Sequence, residues 1–301
     1  MHGTILAPLV QAAQARNLHI RNIVVRQHDH IIARHDFMPE TPRMIFSVSK
    51  TFVSMGVGIA QAEGALHLQD SIAEYLPRAK QHPGFAEITL ENLLTMTSGH
   101  AACPIISKRG VTDFEAEFYA EPLLYAPGAH FVYNNGASYM LSKIITVATG
   151  QSLLDYLDSR LFAPLGIPRP QWTPDKAGVT LGFSQLHLTA SELSRAGQLL
   201  LNGGVWGDRQ LIPQEYVAMA TRKRVDTGHI ADEWATEDSR AGYGYQLWMN
   251  AHPGSYRMDG YMGQYVAVLP DRDAVVTYVS DEPENMLGIL ALTWEFLLDR
   301  L

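Results

Sequence analysis

The chain has 301 residues, 47% hydrophobic and 18% charged, with a formal net charge of −8. This is globular composition, enough for one large core or two closely packed ones, and it speaks against disorder. The acidic balance disfavours a nucleic-acid or anionic-membrane partner, a single cysteine (Cys103) excludes an internal disulfide, and no apolar run approaches the ~18 residues that span a bilayer.

Residues 1–8 lack a basic region followed by a long apolar run, so the sequence as written predicts a cytoplasmic protein. Residues 4–17 carry helical spacing, with Ile5, Leu6, Leu9, Val10 and Ala13 on one side. Residues 20–37 read as two short strands, 23–25 and 31–33, joined by the polar turn His28-Asp29-His30. The histidines at 28, 30 and 35 have no zinc-type spacing and no carboxylate cluster, so they read as exposed hairpin side chains.

Residues 46–52, Phe-Ser-Val-Ser-Lys-Thr-Phe, open an apolar helical pattern that ends near Gly64. With Ser47 at the helix start, Lys50 lies three residues on and on the same face. A serine hydroxyl needs a neighbour to take its proton. A lysine can do so only if burial or nearby charge keeps part of it neutral. The positive end of a helix disfavours an ammonium there and favours developing negative charge. Four residues of this kind also occur as a plain helix cap and a solvated lysine.

Residues 68–77 form a short amphipathic turn, and Thr89 caps a helix that stops at Gly99. The segment 101–128 has weak periodicity and reads as an irregular flap or pocket wall. Tyr133 and Asn135 lie in a loop before a helix from 137 to 149, stopped by Gly150. A tyrosine can act as general base if its pKa is lowered, which a nearby Lys50 would do, and an asparagine offers donors and an acceptor to orient a lysine or a carbonyl. Thr189 caps another amphipathic helix, with Leu193, Leu199 and Leu200 as core. Residues 264–269 and 274–279 form a hairpin about 270–273, and 284–300 a last helix. Phe114, Tyr119 and Trp248 read more readily as core than as pocket lining.

Ser47-x-x-Lys50 followed by Tyr133-Asn134-Asn135-Gly136 resembles the serine β-lactamase-related family of the class C type. That family includes β-lactamases, penicillin-binding proteins, D-aminopeptidases, esterases on the same fold and 6-aminohexanoate-dimer hydrolases. The likeness runs from about residue 20 to 300, and residues 243–248 look like the family's strand leading toward the active site. It implies an α+β, β-lactamase/transpeptidase-like fold: an antiparallel sheet built from both chain ends (1–64 and 216–301), a mostly helical lobe (65–215), and a cleft between them. It implies catalysis by Ser47, Lys50, Tyr133 and Asn135, and an oxyanion hole from the N–H groups of Ser47 and Tyr261. It also implies a substrate-binding stretch at Met258, Asp259 and Gly260.

At that stretch the sequence departs from the family. Met258 falls where a basic residue belongs and Asp259 where a hydroxyl residue is common, while Arg257 is one residue off and on a strand would point to the opposite face. A methionine cannot bind a drug's carboxylate, and an aspartate repels it. The departure therefore disfavours β-lactams and favours neutral or amine-bearing esters and amides. The expectation is a serine hydrolase acting through an acyl-enzyme on a small-molecule or peptide-like ester or amide. The rivals are a D-amino-acid peptidase, penicillin-binding protein or β-lactamase, and a non-catalytic binding protein on the same fold. No metal or organic cofactor is implied, and the oligomeric state is open.

Overall fold

The computed structural model describes residues 5–105, 110–232 and 235–301. Residues 1–4, which include residue 4 of the expected first helix, and residues 106–109 of the expected flap lie outside the described residues.

One six-stranded antiparallel sheet organises the molecule. Its strands are β1 (Ile20–Gln27), β2 (His30–Asp36), β3 (Trp248–Met249), β4 (Tyr256–Gly260), β5 (Gln264–Leu269) and β6 (Ala274–Ser280). Their order is β2-β1-β6-β5-β4-β3. The N-terminal hairpin joins the C-terminal strands where β1 pairs with β6, Val24 opposite Thr277. The two chain ends thus share one sheet, as expected.

Side chains on these strands alternate between two cores, as the two-residue period of a strand dictates. Ile23, Val25, Ala267, Val276 and Tyr278 face one core, closed by helix α1 (Ala7–Ala15) and the C-terminal helix. Val24, Val266, Val268 and Val275 face the other, which continues into the helical part of the chain. The last helix starts as an α-helix (Met286–Leu292) and passes into π geometry over Thr293–Leu297.

Four further helices matter for the site: α2 (Ser49–Ala62), α3 (Leu90–Leu94), α4 (Asn135–Thr149) and α5 (Ala190–Leu201). Thr89 caps α3 and Thr189 caps α5 through reciprocal capping boxes with Asn92 and Glu192. Gly150 ends α4 in the left-handed conformation. α2 is buried from Ser49 to Ala60 and packs against α4, so it joins the helical core although the sequence division groups it with the sheet. α5 lies in the 65–215 segment but packs on β1, β5 and β6. A side chain at its Gly197 would stand 2.6 Å from Val266 and 2.7 Å from Val275, so only a glycine lets this helix seat on the sheet.

Residues 243–247 do not continue β3 as a strand. Gln246 takes a left-handed backbone (φ 58°). Its side-chain Nε2 donates to the carbonyls of Leu93 (3.0 Å) and Leu94 (2.9 Å) at the end of α3, and its side-chain Oε1 accepts from the Ser138 hydroxyl (2.6 Å). Satisfying the open end of a buried helix outweighs strand pairing there. Among the described residues no helix is long and apolar enough to cross a membrane.

Candidate active site

Ser47 is the middle residue of a 3₁₀ turn, Phe46–Val48, that runs directly into α2. The turn is entered through Phe46 with φ 48°, an unusual backbone for a bulky residue and a strain that the surrounding packing must hold. The Phe46 ring meets Tyr261 edge-on at 5.5 Å, and the Ser49 hydroxyl donates to the Phe46 carbonyl at 2.6 Å. β4 passes just behind: a Cβ on Gly260 would lie 2.5 Å from the Ile45 carbonyl oxygen. A glycine at 260 is what allows the strand end to approach the serine turn.

Lys50, in the first turn of α2, is fully buried. Its ammonium donates to Ser47 Oγ at 2.7 Å and to the Phe183 carbonyl at 3.0 Å. Burial pulls its pKa down to about 7, with Cys103 and Asp259 acting in the opposite direction. An amine so placed is partly neutral near pH 7. When it is neutral, the serine hydroxyl can donate along the same line.

Tyr133 stacks on Trp248 (centroids 5.7 Å apart, planes at 24°), and Lys50 Nζ lies 4.9 Å from its ring centroid. Burial raises the phenol above its ordinary value, and the interaction with the Ser47 side chain offsets this only in part. The expected lowering of Tyr133 by Lys50 is therefore corrected. Desolvation dominates both groups and favours their neutral forms: neutral amine, neutral phenol. Asn134 caps α4, its Oδ1 accepting from Gly136 N (2.7 Å) and Ala137 N (3.3 Å). Asn135 is thereby fixed as the helix's first residue, its own N–H donating to Cys103 Sγ at 3.2 Å.

Ser47, Tyr133, Asn135, Asp259, Gly260 and Tyr261 all line one cleft of about 1050 Å³. That is a volume typical of small-molecule sites. Met258 does not line it: its side chain is fully buried in the core. The expectation that Met258 binds substrate is thus corrected by strand alternation, since the pocket face of β4 carries residues 257 and 259. Arg257 is on the pocket face with Asp259. Its Nε donates to Asp259 Oδ2 at 2.8 Å, and its side chain is 2% exposed against 23% for the aspartate.

Sequence reasoning also missed Trp248, which is nearly buried yet forms part of the cleft wall, and the main-chain acceptor of Phe183, which no side-chain pattern could have signalled. Phe114 packs on Tyr139 and Tyr119 is buried, as expected for core aromatics. Among the described residues no group of three or more potential ligands is placed to hold a metal ion. His28 instead pairs with Asp273 at 2.6 Å on the exposed hairpin.

Comparison with known proteins agrees with this architecture. An Escherichia coli K12 protein named "putative D-alanyl-D-alanine carboxypeptidase" is 23% identical, the match covering 74% of this chain and 65% of that protein. A D-aminopeptidase of Brucella anthropi is 31% identical over 155 residues, 48% of this chain and 29% of its own length. The chain thus spans less than two thirds of these curated relatives. The crystal structure of a penicillin-binding protein homologue from Caulobacter crescentus superposes with a TM-score of 0.77 at 16% identity, covering 98% of both chains. The family model described as beta-lactamase matches residues 23–292. With nine-tenths of its length inside that match, the chain belongs to the β-lactamase family.

Proposed function

We propose that this protein is a serine hydrolase that forms an acyl-enzyme on an ester or amide. The observation that carries the proposal is the 2.7 Å contact between Ser47 Oγ and a buried Lys50 whose pKa lies near 7. Ser47 Oγ bonds to the substrate carbonyl carbon while its proton passes to neutral Lys50. Tyr133, a neutral phenol next to Ser47, works with Lys50 as one coupled acid–base unit. The proton then passes to the leaving alcohol or amine as the carbonyl bond to it breaks. Water adds to the acyl carbon by the reverse proton route and frees the acid. The N–H groups of Ser47 and Tyr261 face the developing oxyanion, and such donors are each worth about 3 kcal/mol. Asn135 orients the substrate carbonyl or the lysine.

A second reading, an amide hydrolase for peptides with D-residues, is favoured by the names of the carboxypeptidase and D-aminopeptidase relatives. The test is pre-steady-state hydrolysis of p-nitrophenyl butyrate beside a D-alanine p-nitroanilide. The proposal expects a Ser47-dependent burst approaching one equivalent of p-nitrophenol, or Ser47-dependent p-nitroaniline release if the peptidase reading holds. Equal rates for wild type and Ser47→Ala on both substrates would leave a binding protein on a hydrolase fold as the better account.

A further inference from the structure

We propose that Asp259, held by Arg257, is the anchor for a cationic group of the substrate close to the scissile carbonyl. This deepens the hydrolase reading and rests on it. The two residues lie on the pocket face of β4, two positions apart, with the arginine behind and the carboxylate in front. The guanidinium is held by the protein itself. Nε donates to Asp259 Oδ2, and Nη1 donates to the Met249 carbonyl (2.9 Å), Asn250 Oδ1 (2.8 Å) and the Asp238 carbonyl (3.3 Å). Its Cζ lies over the Trp248 ring, 5.6 Å from the centroid. Nη2 has no hydrogen bond among the described residues, but the arginine side chain is 2% exposed against 23% for Asp259, so the carboxylate stands in front of the cation. The cation's effect is to orient the carboxylate and to offset only in part the burial that holds the Asp259 pKa above its ordinary value.

Asp259 Oδ1 accepts no hydrogen bond among the described residues. The carboxylate therefore presents one oxygen and its charge to the cleft. Among the described residues, Arg257 is the only arginine or lysine on the cleft wall, whereas two carboxylates, Asp259 and Asp232, are present. A cationic group entering in front of Asp259 meets the exposed carboxylate first, with Arg257 behind it and the Lys50 amine turned to Ser47 Oγ, and the low-dielectric wall strengthens that attraction. Asp259 immediately precedes Gly260 and Tyr261, which pass beside the Ser47 turn. The cation therefore sits within a few bonds of the reacting carbonyl rather than at a distant rim.

The test uses permanently charged substrates and isosteric neutral ones, so that substrate ionisation plays no part. 4-Nitrophenyl 4-(trimethylammonio)butanoate is compared with 4-nitrophenyl 5,5-dimethylhexanoate, which varies the acyl side. Acetylthiocholine is compared with its 3,3-dimethylbutyl thioester analogue, which varies the leaving side. In at least one pair the charged member is expected to have kcat/KM about tenfold higher at low salt, falling as ionic strength rises. Asp259→Asn keeps an acceptor for Arg257 Nε but removes the charge, and should bring the charged-to-neutral ratio to one or below. Asp259→Glu should restore part of the preference. The ratio is taken within each variant, so a change in overall rate cancels. Ratios near one in both pairs for the wild type would overturn the proposal, as would a preference that survives Asp259→Asn and disappears in Asp232→Asn. If no ester is turned over at all, the hydrolase reading fails on its own. Calorimetric titration of Ser47→Ala with the same four compounds then decides the cation site: tighter binding of a charged member, lost on adding Asp259→Asn, supports it, and equal binding overturns it.

Discussion

Replacing Lys50 by methionine isolates the energetic consequence of burying an amine beside the serine. In the folded protein the lysine titrates at about 7, against 10.5 in the unfolded chain. At about 1.4 kcal/mol per pH unit, that gap corresponds to roughly 5 kcal/mol of destabilisation while both states carry the proton. Between the two values the unfolded chain binds more protons than the folded one, so the stability of the wild type rises as pH climbs from about 7 toward 10.5. The penalty is full below pH 7 and gone above 10.5. Integrating the linkage between pH 7 and 9 gives a gain of about 2 kcal/mol for the wild type that Lys50→Met cannot show. Urea unfolding of both proteins at pH 7, 8 and 9, followed by tryptophan fluorescence, measures this difference, and the other titrating groups cancel in the subtraction. Measured from pH 5 to 8, kcat/KM of the wild type for a neutral ester should rise about tenfold per pH unit and level off near pH 7, because only neutral Lys50 accepts the serine proton. Stability curves that stay parallel from pH 7 to 9, or an activity profile flat from pH 5 to 8, would refute the reasoning.

Other perturbations test the scaffold around the serine. Gly260→Ala sets a Cβ 2.5 Å from the Ile45 carbonyl, so β4 must retreat from the Ser47 turn. Calorimetry should read a loss of about 1–3 kcal/mol, and ester turnover should fall more than stability alone explains. Asn134→Ala removes the acceptor for two N–H groups at the start of α4 and should cost about 1–2 kcal/mol in urea unfolding. An unchanged midpoint would show that the cap is not what holds Asn135. Gly197→Val pushes α5 off the sheet at Val266 and Val275, and should lower the melting temperature without changing the charged-to-neutral substrate ratio.

Much of the sheet was legible because its chemistry is local. The apolar runs at 23–25, 264–269 and 274–279, with a Pro-Asp turn between the last two, all lie in the strands that form the sheet. Thr89, Thr189 and Gly150 announce helix ends by capping chemistry, and each occupies that position. The Ser47–Lys50 pair was legible from its i, i+3 spacing, and Tyr133 and Asn135 from the company they keep.

What stayed hidden depends on distant partners. The strand expected over 243–247 gives way because Gln246 serves the carbonyls of Leu93 and Leu94, some 150 residues earlier. The alternation of β4 was readable, but not which of its faces met the cleft, so Met258 was placed at the substrate and Arg257 turned away, whereas Met258 lies in the core and Arg257 faces the cleft. The pKa of Tyr133 was misread for a related reason: its charged neighbour is apparent from the motif, whereas its burial is a property of the folded cleft.

The most direct test of the central claim is intact-mass spectrometry after exposure to a fluorophosphonate, with Ser47→Ala as control and a penicillin in a parallel sample. The account predicts one phosphonyl adduct on the wild type, mapped by peptide analysis to Ser47 and absent from the variant, with little or no penicillin adduct. A durable penicillin adduct on Ser47 would keep the nucleophile and move the assignment to the penicillin-binding branch. No Ser47-dependent adduct from either reagent would contradict the claim that Ser47 is an activated nucleophile.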